Sequence, residues 1–147
     1  MGCLFIFGSV DSFLKAGKSL FDKLDGLPYA TFTNVGMESP DQETLDSLGK
    51  PIRAEEVKDA FWKLEEINRR YSHITVSCNF VLGRDIPVNH VEKMKELLSG
   101  MAGSRGKGIV YLSPLLGASH RRQILKEFRE IKIVSRFPVF LYLAQRL

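Results

Sequence analysis

With 147 residues, the chain is long enough to bury one hydrophobic core and too short for two ordinary domains, so residues 1–147 are expected to form a single domain. Apolar residues make up 44% and charged residues 26%, a composition that excludes a disordered or fibrous chain. The 21 Lys and Arg against 17 Asp and Glu leave a net charge of +4, without the aromatic-studded basic stripe that a nucleic-acid partner would need.

No apolar run approaches the roughly 20 residues of a spanning helix, so no membrane role is expected. Two cysteines, Cys3 and Cys78, cannot form a multi-bridge framework, and neither stands in a C-x-x-C pair. That usage fits a reducing, cytoplasmic setting. The opening Met1-Gly2-Cys3-Leu4-Phe5-Ile6-Phe7 lacks the basic region of a signal peptide, and Ile6 stands where a myristoylation motif needs Ser or Thr.

Residues 3–7 are continuously apolar and read as a strand buried on both faces, opening into the turn Gly8-Ser9-Val10-Asp11. Residues 12–24 carry Phe13, Leu14, Leu20, Phe21 and Leu24 at helical spacing, interrupted by Gly17. A second strand follows over residues 29–37. Ser39 is expected to cap the next helix, with Pro40 at its first position, Gln42 completing a capping box and Gly49 ending it.

From about Ala54 a longer helix repeats Val57, Ala60, Phe61, Leu64, Ile67 and Tyr71, with acidic residues at its start and Arg69-Arg70 at its end. Residues 73–82 form a third strand, in which Asn79 is a polar interruption. A helix is expected from Asn89, with Glu92 at its third position. The loop Gly103-Ser104-Arg105-Gly106-Lys107-Gly108 is glycine-rich and basic, but it stands between helix and strand. A P-loop needs strand, loop, then helix, so this loop reads as a plain connection.

A fourth strand over residues 109–112 and a basic helix over residues 119–135 complete the order. The last run, from Phe137, fits strand or buried helix. Val139, Leu143 and Leu147 fall four apart and favour helix.

This order implies an α/β fold of mostly parallel strands, whose ligands bind at the carboxyl ends of the strands. Those ends carry the only polar interruptions of the apolar strands. Glu38 there also suits a helix start, and Lys50 a helix end. The buried amide of Asn79 must find a partner, and a ligand hydroxyl would serve as well as a backbone group. His73, His90 and His120 have no helical pairing that would hold a metal.

The segments Asn34-Val35-Gly36-Met37-Glu38-Ser39, then Gly49-Lys50-Pro51-Ile52, then Asn79-Phe80-Val81-Leu82-Gly83 resemble, in order and spacing, the core of radical S-adenosylmethionine enzymes. The resemblance covers most of the chain from Gly8 and implies an incomplete (β/α) barrel binding S-adenosylmethionine. It would have Glu38 and Asn79 meet the ribose hydroxyls, Lys50 the methionyl carboxylate, and Val81 the adenine. Ser9 would lie near the amino group, where the usual glutamate is missing, and Tyr111 beside the adenine. The family's C-x-x-x-C-x-x-C is absent, so its [4Fe–4S] cluster has no ligands in this chain.

The resemblance therefore implies the cofactor-binding portion of such an enzyme, a fragment or degenerate relative, not competent for radical chemistry. The alternative is a non-enzymatic α/β interaction module that forms a homodimer through an exposed first strand.

Overall fold

The computed structural model describes residues 2–83, 85–100, 107–115 and 120–142. The elements in chain order are β1 (Gly2–Ser9), α1 (Val10–Lys15), α2 (Lys18–Asp25), β2 (Tyr29–Glu38), α3 (Gln42–Ser47), α4 (Ala54–Arg70), β3 (Ile74–Leu82), α5 (Asn89–Gly100), β4 (Val110–Pro114), α6 (Arg121–Val134) and β5 (Val139–Leu141). The five strands form one all-parallel sheet in the order β1-β2-β3-β4-β5.

Each connection between neighbouring strands is helical. Crossovers of one hand between sequential neighbours place every helix on the same side of a sheet. The alternation of the strands fits that rule. Val35, Val76, Cys78, Phe80, Val110 and Leu112 are essentially fully buried and share one hydrophobic cluster with residues of all six helices, except that α3 contributes a single apolar residue, Leu45. Of the opposite parity, Phe5, Phe7, Phe32 and Phe140 remain exposed.

Phe61 of α4 anchors the covered side, with its ring 5.0 Å from that of Phe137 and 6.4 Å from that of Phe80. Asn68 near the end of α4 ties the helix to the sheet: its amide donates to the Val76 carbonyl at 2.8 Å and accepts from the Val76 N–H at 2.7 Å. Gly108 passes beside this contact at φ 80°, where a Cβ would lie 2.7 Å from Asn68 Nδ2 and 2.9 Å from the Val76 oxygen. Lys107 donates to the carbonyls of Tyr71, Ser72 and Ile74. Its cation therefore closes the end of α4, in line with a plain connection; residues 103–106 of that loop lie outside the described residues.

Four expectations are corrected. β1 is an edge strand exposed on one face, with Phe5 67% and Phe7 80% exposed, because no described helix covers that face of the sheet. The first helix is two, α1 and α2, broken at Ala16-Gly17, where Lys63 of α4 donates to the carbonyls of Leu14 and Ala16. The cap of α3 is Asp41, whose carboxylate accepts from the Thr44 N–H at 3.0 Å, while Ser39 is drawn into the interior. Residues 139–141 form β5, with Val139 opposite Val110. The adjoining carbonyl of Pro138 accepts from the Val110 N–H at 2.9 Å. A sheet edge that needed a partner thus overrode the fourfold spacing; Leu143 and Leu147 lie outside the described residues.

Candidate functional site

The strand register gathers three of the sequence candidates into one row. Ser9 stands opposite Gly36, Gly36 opposite Asn79, and Asn79 opposite Tyr111. All four side-chain positions belong to the face that carries no helix.

Glu38 reaches the same row by a backbone irregularity. The register of β2 against β3 shifts between Gly36 and Glu38, and Glu38 is the one described non-glycine residue with positive φ, at 63°. A left-handed conformation is costly for a side chain without a short polar end, and such strain concentrates where geometry is imposed by function or packing. The turn is fixed by the Ser39 N–H donating to the Met37 carbonyl at 2.7 Å.

Lys50 is returned to this corner by α3. Gly49 takes φ 63°, and the Lys50 N–H donates to the Leu45 carbonyl at 2.9 Å. Its ammonium then meets Glu38 Oε1 at 3.2 Å, both side chains remaining partly open to solvent. A Cβ at Gly36 would stand 3.6 Å from Glu38 Oε1 and 3.9 Å from Asn79 Oδ1. The missing side chain keeps open the space that the carboxylate and the amide share.

Asn34 joins them from the next row down, its Nδ2 donating to Asn79 Oδ1 at 3.3 Å. The Oδ1 of Asn34 is buried without a partner, which is a cost unless another group supplies a donor. The sequence reading used Asn34 only as the start of a motif. The sequence carried no signal for it, because the contact depends on the register of β2 against β3.

Below this corner lies a cavity of about 560 Å³ whose walls include Phe7, Phe32, Asn34, Asn79, Tyr111 and Tyr142; none of its lining residues is charged. Val81 does not line it. Val81 is 5% exposed, and its carbonyl binds the ring of His90 at 2.7 Å.

The His90 contact is a second feature that sequence reasoning missed. A carbonyl can only accept, so Nε2 carries the proton and Nδ1 accepts from the Ser39 hydroxyl at 2.7 Å. The same Ser39 oxygen accepts from the Asp41 N–H at 3.0 Å. Burial pushes the pKa of His90 below its ordinary 6.5, against the weaker opposing pulls of the Val81 carbonyl and Asp41. The neutral imidazole therefore pins the turn after Glu38 to the end of β3. A buried Ser–His pair spent on the backbone in this way positions the site and is not a nucleophile.

Cys78 is fully buried among the helices, where desolvation drives its thiol pKa far up, while Cys3 is exposed on β1. Among the described residues no group of three or more His, Cys, Asp or Glu could hold a metal ion. Nor is any described helix long and apolar enough to cross a membrane.

A second cavity, of about 360 Å³, separates the turn before α5 from α6 and includes Glu92, Lys126 and Glu130 in its walls. Those charges are engaged along the rim, Lys95 with Glu92 at 2.6 Å and Lys126 with Glu130 at 3.9 Å. The Glu38 corner differs in standing beside a cavity with no charged residue in its described lining and with the Asn34 Oδ1 buried without a partner. No protein-family model matches the chain, and a search of curated proteins finds no match.

Proposed function

We propose that this chain binds S-adenosylmethionine at the carboxyl ends of β2, β3 and β4, as the cofactor-binding part of a radical S-adenosylmethionine type partial (β/α) barrel. The observation that carries the reading is that Glu38 and Asn79 border the space left by Gly36, with the Lys50 ammonium held on the Glu38 carboxylate. A zwitterionic ligand bearing a sugar needs a cation for its carboxylate, acceptors for its hydroxyls and an apolar wall for its base.

Lys50 takes the methionyl carboxylate, exchanging part of its contact with Glu38. Glu38 and Asn79 accept from the ribose hydroxyls. Tyr111, whose ring lies edge-on to Tyr142 at 6.3 Å, supplies the adenine wall in place of the enclosed Val81. The Ser9 side chain already accepts from the Ser12 N–H at 3.2 Å to cap α1, so its part is to border the amino group.

The residues present do not fit a [4Fe–4S] cluster. The only two cysteines lie on opposite faces of the sheet, one exposed and one buried, and a cluster of this type needs three thiolates close together. No radical step is assigned to this chain.

Calorimetric titration with S-adenosylmethionine tests the reading. Saturable binding is expected, weakened at least about tenfold by Lys50→Ala and by Asn79→Ala, since each removes a polar contact of roughly 1.4 kcal/mol or more. Absence of heat with the wild-type chain would instead support the alternative, an α/β module that uses the scaffold for association alone.

A further inference from the structure

Among the described residues the sheet has one face under helices and one face bare, yet parallel sheets are ordinarily buried on both sides. The bare face is not a weak version of the covered one. Phe5 is 67% exposed, Phe7 80%, Phe32 40%, Phe140 53% and Tyr142 56%, and strand parity together with the cavity lining puts all five on this side. At about 200 Å² for a whole aromatic residue, they leave roughly 600 Å² exposed. That is as large as the largest apolar patches that monomers tolerate, and close to the ~800 Å² that each partner contributes to a standard interface.

We infer that the bare face is the interface between two copies of this chain, packed sheet to sheet across a two-fold axis. Charge selects this occupant. None of the described residues lining the cavity is charged, so among them a nucleic acid, an anionic surface or a charged peptide finds no counter-charge. A second copy brings the same neutral aromatic surface, which is self-complementary by symmetry. Below the Glu38 corner, the strand positions of this face between residues 2 and 142 carry no charged side chain to oppose the contact. The pairing encloses the cavity between the copies and leaves the Glu38 corner at its mouth. It does not rest on the ligand proposed above, although Asn79 and Tyr111 line the enclosed cavity that both would use.

Light scattering coupled to size exclusion, run over a concentration series, tests this. The wild-type chain is expected at twice 16.6 kDa. Phe7→Glu and Phe140→Lys, on opposite edges of the bare face, should each weaken self-association at least about tenfold. Trp62→Glu, exposed on α4, should change nothing. Unaltered denaturation midpoints below the dimerising concentration establish that the variants fold. A wild-type monomer up to about 1 mM overturns the inference. So does a dimer broken by Phe7→Glu but indifferent to Phe140→Lys, which would be pairing through the β1 edge alone. Failure on either count leaves the calorimetric result with S-adenosylmethionine untouched.

Discussion

Phe7 and Phe61 are the same residue type in the same small protein, and they live on opposite terms. Phe61 is fully enclosed between the rings of Phe80 and Phe137, whereas Phe7 is 80% exposed. The sheet between them divides the molecule into a face that holds the fold together and a face left for something else to touch. Hydrophobicity alone does not tell the two apart. What does is the direction of the crossovers, which sends every helix to one side.

This contrast should show first in stability. Phe61→Ala is expected to cost about 3–5 kcal/mol, because the covered face cannot collapse around the cavity left behind. Asn68→Ala should come next, at about 2–4 kcal/mol, since it leaves both backbone groups of Val76 buried without partners. Both are read from denaturant unfolding curves. A cost below about 1 kcal/mol for Phe61→Ala would mean that the covered face is not packed as described.

The His90 link gives a pH-dependent version of the same comparison. Burial lowers the pKa of this imidazole from its ordinary 6.5, so the unfolded chain takes up the proton first as the pH falls. The stability tied to the neutral ring is complete above 6.5 and is lost progressively as the pH drops from there towards the lowered folded value. Unfolding midpoints measured through this window should decline in the wild-type chain and flatten in His90→Gln. A slope of equal size in the variant would dismiss the link.

Smallest is the effect expected on the bare face. At concentrations too low for self-association, Phe7→Ser should shift stability by no more than about 0.5 kcal/mol. A loss comparable to that of Phe61→Ala would erase the distinction between the faces.

The elements that periodicity alone reveals are those whose neighbours all come from within the covered half. The helix from Ala54 begins where the spacing of Val57, Phe61 and Leu64 places it, because one apolar stripe meets one sheet face. β2 and β3 were legible for the same reason. β1 was not, since a run such as Leu4-Phe5-Ile6-Phe7 has identical chemistry whether its second face is buried or bare. The Val139 strand was hidden because its partner, Val110, is remote in sequence, and a pairing requirement outweighs a four-residue spacing.

The site divides in the same way. Glu38 and Asn79 could be singled out as polar breaks in apolar strands, and Lys50 as a cation at a helix end. The positive φ of Glu38, the Asn34–Asn79 contact and the capture of Ser39 by His90 all depend on which strands become neighbours. Asp41 prevailed over Ser39 as the α3 cap because the serine hydroxyl was already committed to the imidazole 51 residues away.

Glu38, Lys50 and Asn79 are proposed to grip a zwitterionic nucleoside. Calorimetry comparing S-adenosylmethionine with methylthioadenosine, which lacks the amino-carboxylate end, tests it most directly. The account expects S-adenosylmethionine to bind the wild-type chain at least about tenfold more tightly, and this advantage to vanish in Lys50→Ala. Equal affinity of the wild-type chain for the two ligands, or an advantage that survives the loss of Lys50, would contradict it.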